Sequence, residues 1–262
     1  MNKIYLLFVF AFFSCGRIDT GTHKFKKNVI MFSGMGYDKL NLYIYKVDEI
    51  ENGTVLRTDT LGLFCSGIVM KNQDSQSYIE WQFLTRRDNK YAILDFNNTS
   101  TGLKVNDTEL YIHPPRFGIY RILQFCPHPE FYNTNLSVPW HWDLPIGSSW
   151  SIANLYPIKD VDTFRNIYQY VDTATINTQF GNLFCFHYKA SGTSIYGTSY
   201  GTYYLNNTFG LVDFRYQTTN NLFFNFKLIS KTDNYDSIKI NTSLTWFLHH
   251  SNKKTPYDFN SF

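Results

Sequence analysis

Apolar and polar residues alternate along most of the chain between residues 39 and 247, in short segments that end at turn residues. The segment KLNLYIYKV (39–47), for example, alternates leucine and isoleucine with asparagine and tyrosine, and the turn signal Asn52-Gly53 follows it. A repeat of two residues is the repeat of a β-strand, so this pattern predicts a chain built mostly from strands. Aromatic residues make up 19% of the chain, and they favour the half-buried surface of a sheet.

Several neighbouring segments are separated only by turn residues and predict antiparallel hairpins. Residues 77–85 pair in this way with 91–96, and residues 210–217 pair with 222–230, while 237–250 reads as a last long strand. Residues 158–171 have rough helical spacing, although a strand fits their second half equally well. We therefore expect an all-β fold with minor helix, in which antiparallel strands form either one curved sheet (a half-barrel) or a β-sandwich.

A short apolar segment lies near the start of the chain. Residues 4–13 follow Lys3 and contain about ten apolar positions, too few to cross a bilayer of about 30 Å as a helix, so they predict an export signal. The following Ser14-Cys15-Gly16 resembles a bacterial lipoprotein signal, in the loose form typical of Bacteroidetes. The resemblance implies that Cys15 is acylated and becomes the new N-terminus. The alternative is an ordinary secretory signal in which Cys15 is incidental.

The lipoprotein resemblance implies a division of the chain and a location. Residues 1–14 would be the signal peptide, 15–27 a tether, 28–250 a single β-rich domain and 251–262 a polar tail. The acyl chains would hold the protein to a membrane of the cell envelope. The tether lacks the acidic cluster of many surface-exported lipoproteins, so we expect the protein at the outer membrane, facing the periplasm.

Charge and cysteine content narrow the choice of partners. The chain carries 24 basic and 21 acidic residues, and a net charge of +3 with no basic stripe does not indicate nucleic acid. Cys65, Cys126 and Cys185 all lie among apolar residues. We therefore expect buried, unpaired thiols, although one pair could form a disulfide in an oxidising envelope.

The second half of the chain contains a familiar pattern of turns and strands. It runs through DLPIGSSW (143–150), residues 171–192 and GTYYLNNTFGLVDFRY (201–216). This pattern resembles exported lipoproteins related to LolA and LppX. The resemblance implies a curved antiparallel half-barrel whose concave face holds apolar groups.

The same stretch yields two simple structural predictions. Gly147 and Gly181 are predicted to take positive φ in tight turns, which glycine permits. The aromatic residues of these segments are predicted to supply buried area, and they are Trp150, Phe180, Phe184 and Phe186.

A polar and aromatic cluster in residues 126–145 is the candidate for metal chemistry. His128 and Glu130 are two residues apart, as are His141 and Asp143, so each pair would face one side of an extended backbone. If the four side chains converged, with or without His113, they could hold a divalent metal such as zinc. The surrounding prolines favour instead an ordered loop with a purely structural role, and we predict no cofactor.

No sequence motif requires an enzyme. Residues 197–201 (GTSYG) fit the letters of G-x-S-x-G, but a predicted all-β chain lacks the strand-to-helix turn that a nucleophile elbow requires. The sequence contains no phosphate-cradling loop and no dinucleotide fingerprint. We therefore expect a non-catalytic binding or interaction module, for a lipid or another apolar ligand. The alternative is a surface glycan-binding lipoprotein, and a metal-dependent hydrolase is a third possibility. The aromatic candidates for stacking on a ligand also fit ordinary strand packing, and they are Trp140, Trp142, Tyr196, Tyr200, Tyr203 and Tyr204.

Overall fold

The computed structural model describes residues 30–70, 76–87, 90–93, 101–133, 136, 138–147 and 162–233. This part of the chain contains two 3₁₀ helices, Phe32–Met35 and Gly118–Phe125, and thirteen strands. The strands are β1 (Leu40–Glu51), β2 (Thr54–Val69), β3 (Gln76–Arg87), β4 (Lys90–Ile93), β5 (Thr101–Val105), β6 (Glu109–Ile112), β7 (Glu130–Tyr132), β8 (Trp140–Ile146), β9 (Asp162–Thr178), β10 (Gly181–Ser194), β11 (Gly197–Asn206), β12 (Gly210–Gln217) and β13 (Phe223–Asp233). No helix within these ranges is long and apolar enough to cross a membrane.

All thirteen strands belong to one antiparallel sheet. Its order is β7-β6-β5-β3-β2-β1-β13-β12-β11-β10-β9-β8, and β4 pairs with β3 beside this path. The sheet curls into a half-barrel, so the predicted fold class is confirmed. The strands form a single curled sheet rather than the two packed sheets of a sandwich.

The local predictions hold where the structure describes the chain. Both hairpins form, as β3 with β4 and as β12 with β13. Of the ambiguous segment 158–171, residues 162–171 belong to a long strand, β9, and residues 158–161 lie outside the described residues. The predicted signal, tether, polar tail and last strand (237–250) lie outside the described residues.

Turn glycines gave one correct and one wrong prediction. The β1–β2 turn has φ of 50° at Asn52 and 79° at Gly53, as expected for an Asn-Gly hairpin turn. Gly181 has φ of 95° where β10 begins, as predicted. Gly147, by contrast, lacks a positive φ, because it follows the last residue of β8 rather than opening a strand.

The alternation of β1 separates two apolar clusters. Tyr43 and Tyr45 point to the main core on the inner face of the sheet. Leu42 and Ile44 belong to a second cluster with Phe64. Successive side chains of a strand point to opposite faces, so the second cluster lies on the outer face.

The inner face of the half-barrel is filled by the chain itself. The second 3₁₀ helix brings Tyr120 to within 5.6 Å of the Phe224 ring, measured between ring centroids. After that helix, Ser199 of β11 donates a hydrogen bond of 2.7 Å to the carbonyl of Phe125. The expected apolar concavity is therefore occupied, in this region, by residues 117–128 and not open to a ligand.

Tyrosine hydroxyls tie this filling to the sheet. Tyr168 donates to the carbonyl of His128 at 2.9 Å, and Tyr203 donates to the carbonyl of Pro127. On the other side of the core, Tyr45 donates to the carbonyl of Leu211 at 3.1 Å. A buried hydroxyl without a partner would lower the stability of the fold. These three hydrogen bonds offset the cost of burying the tyrosine hydroxyls together with their rings.

The thiols of Cys65, Cys126 and Cys185 are buried and unpaired, as predicted. Burial raises the pKa of the Cys126 thiol to about 12 and that of Cys185 to about 12 as well. Thiols react as thiolates, so these groups are protected from ordinary thiol reagents.

Two aromatic side chains that we predicted as core are not buried. Phe186 is buried as expected, but Phe184 is 45% exposed. Phe180 is only half-buried, and its ring stacks on that of Phe209 at 4.7 Å. Trp150 lies outside the described residues.

Candidate functional site

The curl of the sheet brings its two end strands together. The rings of Tyr132 in β7 and Trp140 in β8 lie 5.9 Å apart, and those of Tyr111 and Trp142 lie 5.6 Å apart. We call this contact the seam. Its side chains come from β6 and β7 on one side and from β8 and β9 on the other, and they are Tyr111, Glu130, Tyr132, Trp140, Trp142 and Tyr168.

Strand alternation determines which residues reach the seam. In β7, Phe131 packs into the core against Tyr203, at 5.4 Å between ring centroids. Its neighbours Glu130 and Tyr132 therefore face the opposite way, toward the seam. In β8, Trp140 and Trp142 alternate in the same way with exposed residues and are themselves half-buried.

A buried carboxyl group lies at the base of the seam. Glu130 is 3% exposed, and its Oε1 accepts a hydrogen bond of 2.7 Å from the Tyr132 hydroxyl. Its Oε2 has no hydrogen-bond partner within the described part of the chain. Burial raises the pKa of Glu130 to about 7, against the opposing effect of the Tyr132 hydrogen bond.

Two histidines lie beside the aromatic residues of the seam. His128 is fully buried, with Nδ1 3.2 Å from the Tyr111 hydroxyl and its ring centroid 4.8 Å from that of His113. Burial lowers the pKa of His128 far below its ordinary value and that of His113 to about 4. Both rings are therefore neutral at pH 7, which suits a packed position better than a charged one.

A second buried polar atom without a partner in the described chain belongs to Trp140 of β8. The Trp140 ring stacks on Tyr168 at 5.3 Å with an interplanar angle of 7°, yet its buried Nε1–H has no partner among the described residues. Buried polar atoms of native proteins nearly always have a partner. In the described part of the chain, the seam thus contains one unpartnered donor and one unpartnered acceptor beside half-buried aromatic rings.

The four residues considered for a metal do not converge. His128 and Glu130 are buried, whereas His141 and Asp143 are exposed, because they alternate with Trp140 and Trp142 along β8. Within the described ranges, no three His, Cys, Asp or Glu side chains are grouped so that they could hold a metal ion. The geometry that a metal-dependent hydrolase would need is not formed by these four.

The six aromatic candidates for ligand binding do not share one surface, and Tyr204 stacks on His187. Trp140 and Trp142 lie in the seam, and Tyr196 is half-buried 6.0 Å from the Phe125 ring. Tyr200 is 47% exposed, whereas Tyr203 is fully buried. Including Tyr203 in an exposed stacking platform was therefore wrong, because it lies on the inner face of β11.

Sequence reasoning missed Tyr111, Tyr132 and Tyr168 as companions of the two tryptophans. The alternation in EFY (130–132) signals that Glu130 and Tyr132 share a face. No local signal indicates that β7 meets β8, because β7 and β8 are the opposite ends of the sheet order.

A polar row on the outer face was also missed. Asp172, His187 and Tyr204 are directly opposed on β9, β10 and β11. His187 Nδ1 lies 2.9 Å from the Asp172 carboxylate, and its ring stacks on Tyr204 at 4.6 Å. The row continues through Asp213 of β12 to Lys227 of β13.

Comparison with known proteins gives structural neighbours only. The sequence matches no protein-family profile and no curated protein. Among solved structures it is similar to the hypothetical lipoprotein YmcC of Escherichia coli, with 13% identity, 74% of this chain and 88% of that chain covered, and a TM-score of 0.35.

Two further neighbours come from other bacteria. One is a candidate lipoprotein of Parabacteroides distasonis, with 12% identity, 79% and 100% coverage and a TM-score of 0.39. The other is a β-barrel-like protein of Brucella abortus from a family of unknown function, with 10% identity, 76% and 99% coverage and a TM-score of 0.37. The comparisons do not show the expected LolA and LppX resemblance, and likenesses this distant assign no function.

Proposed function

We propose that this protein is an envelope lipoprotein, anchored through acylated Cys15, that acts as a non-catalytic binding module with its ligand site at the seam. The observation that carries the binding site is the set of half-buried aromatic rings beside the unpaired Oε2 of Glu130. Ligand sites are typically mostly apolar with a few placed polar groups.

The chemistry of the seam specifies a class of ligand. Trp140 and Trp142 offer flat apolar surface, which stacks on the apolar face of a ligand. Trp140 Nε1–H donates, and Glu130 Oε2 accepts when the carboxyl is ionised and donates when it is protonated, so hydroxyl groups of a ligand suit both atoms in either state. A ligand with an apolar body and a hydroxyl-bearing polar part fits this description, and both glycerol-headed lipids and glycans belong to that class.

A glycan-binding surface on the outer face is the second candidate. The observation in its favour is Tyr200, which is exposed and directly opposed to Ser191 and Gln217 on the neighbouring strands. An exposed aromatic ring beside polar side chains is the arrangement that glycan stacking requires. This surface is separate from the seam, so the two candidates can be tested independently.

Calorimetric titration of the purified chain tests the binding proposal. The probes are a short-chain phosphatidylglycerol below its micelle concentration and a set of neutral oligosaccharides. With the lipid probe, W142A should weaken binding about tenfold, which corresponds to about 1.4 kcal/mol, because a flat stacking surface is removed.

The matched control is Y200A, which removes an aromatic ring from the outer face and should leave lipid binding unchanged. If oligosaccharide binding is lost in Y200A and kept in W142A, the ligand site lies on the outer face and not in the seam. A protein that binds neither probe would overturn the binding module.

The acylation of Cys15, and with it the membrane location, is tested separately by mass spectrometry of the protein from the membrane fraction. We expect a mature chain that begins at acylated Cys15, and loss of that modification in C15A. An unmodified Cys15 on a soluble chain would contradict the lipoprotein assignment while leaving the seam proposal open to the titration.

A further inference from the structure

The first described residues lie against one end of the half-barrel. The backbone N–H of Met31 donates to the Asn207 side chain at 3.3 Å, and Asn207 lies in the turn between β11 and β12. Lys231 Nζ donates to the carbonyls of Met35, at 3.2 Å, and Thr208, at 2.8 Å. The N-terminal segment therefore joins the sheet at this end of the half-barrel, which we call the near end.

The near end also carries exposed aromatic and apolar side chains. Phe180 of the β9–β10 turn stacks on Phe209 of the β11–β12 turn. Phe184, close by in β10, is 45% exposed, and Met31 is 59% exposed. The two turns, residues 177–182 and 206–209, contain no charged residue, so bringing them to an apolar boundary removes no charge from water.

The length of the N-terminal segment places this end near any anchor at Cys15. Residues 16–29 separate Cys15 from Ile30, and a segment of that length reaches at most about 50 Å even when fully extended. The 12 residues of β1 carry the sheet about 40 Å away from the near end. An anchored protein therefore presents the near end to the bilayer far more often than the far end.

Basic residues just before the first described residue add an electrostatic attraction between the near end and the membrane. Lys26 and Lys27 lie within four residues of Ile30, and basic residues beside a membrane are drawn to anionic lipid headgroups. A tether also raises the effective concentration of the surface at the bilayer. A contact that is too weak to hold a free protein at the bilayer is then sufficient to orient the anchored one.

We infer that the near end is a membrane-contacting surface, on which Phe180, Phe184 and Phe209 touch the lipid headgroup boundary. This inference rests on the proposed acylation of Cys15, which supplies the anchor. It gives the protein one orientation: the near end faces the bilayer, and the far end, with the β1–β2 turn, points away from it.

The test compares one exposed position at each end. F184C and V55C introduce thiols at sites that are 45% and 53% exposed, and Val55 follows the far-end turn. Each is labelled with a polarity-sensitive fluorophore, because Cys65, Cys126 and Cys185 are buried and unreactive. The acylated chains are placed in vesicles of phosphatidylcholine and phosphatidylglycerol that contain doxyl-labelled lipid.

We expect the label at position 184 to lose most of its fluorescence to the doxyl lipid and the label at position 55 to keep it. Equal quenching at both positions, or stronger quenching at 55, would overturn the inference. The same measurement is made on a chain that carries hexahistidine before residue 16, bound to nickel-chelating lipid. That version tests the contact even if Cys15 proves unmodified, so a failed lipoprotein assignment and a failed contact remain distinguishable.

Discussion

The closed core and the seam are built from the same types of side chain. The two regions differ in which buried polar atoms have hydrogen-bond partners and in what surrounds those that lack one. In the core, Tyr45 and Tyr203 are fully buried, and each hydroxyl donates to a backbone carbonyl. In the seam, Glu130 Oε2 and Trp140 Nε1 are buried without a partner in the described chain. The core is not fully satisfied either, because the hydroxyls of Tyr188 and Tyr216 lack a partner in the described chain. The seam differs in that its unpartnered donor and acceptor lie beside half-buried rings, where they form a candidate binding site.

The largest effect should come from the centre of the core. The Phe226 ring stacks on Phe214 at 4.4 Å and also contacts Tyr45, Trp81 and Tyr120. F226A should lower the free energy of unfolding by about 3–5 kcal/mol, because it leaves a cavity among rings that are fixed by their own neighbours. Urea unfolding measures this, with W142A as the matched seam variant.

W142A should cost clearly less than F226A, because Trp142 is half-buried and water can fill part of its place. An equal loss in the two variants would mean that the seam is core, and would remove the contrast between the two regions.

The next effect concerns Glu130 and pH. Its pKa is raised to about 7 in the folded protein from an ordinary 4.5, so the folded state binds an extra proton between these two values. The stabilisation that this proton gives is present below pH 4.5 and is lost as the pH rises through 7. The full change is on the order of 3 kcal/mol.

Glu130→Gln removes this contribution, so the difference between E130Q and the wild type should shift in favour of E130Q as the pH rises from 5 to 8. The difference must be used, because the lowered pKa values of His113 and His128 act in the opposite direction. Those histidines are present in both proteins and cancel. A difference that does not change with pH would show that Glu130 is ionised and paired in solution.

A smaller effect is expected from one core hydroxyl. Y203F keeps the ring of Tyr203 but leaves the carbonyl of Pro127 without its donor, which should cost about 1–3 kcal/mol in chemical denaturation. Tyr188 provides the matched control, because its buried hydroxyl has no partner in the described part of the chain. Y188F should therefore cost less than Y203F, or even stabilise, and the reverse order would contradict the distinction between satisfied and spare hydroxyls.

The smallest effect should come from the outer face. Tyr200 is 47% exposed, and Y200A should change the free energy of unfolding by no more than about 0.5 kcal/mol. Thermal unfolding monitored by circular dichroism is sufficient to check it. A substantial loss would mean that Tyr200 is covered in solution, and it would weaken the case for a glycan at this position.

The sequence by itself determined the elements of the fold. Alternation along residues 39–47, the Asn52-Gly53 turn and the two hairpins are local features, and each was read correctly because a strand displays its two faces within a few residues. The unpaired state of the three cysteines followed equally from their apolar neighbours. The failures were also informative: Gly147 and Phe184 were assigned from local chemistry, but their surroundings depend on where the strand ends and what packs over it.

Only the tertiary structure decided the site. Glu130 and Trp140 are ten residues apart in the chain, yet they belong to strands at opposite ends of the sheet order. The seven residues 133–139 keep the ends of β7 and β8 within reach of each other. Which of their side chains come into contact depends on the accumulated twist and curl of the strands between them, a global property. Local alternation along β8, by contrast, is enough to turn His141 and Asp143 outward, away from the buried His128 and Glu130. Local alternation determines which way a side chain points, but closure of the sheet determines what it faces.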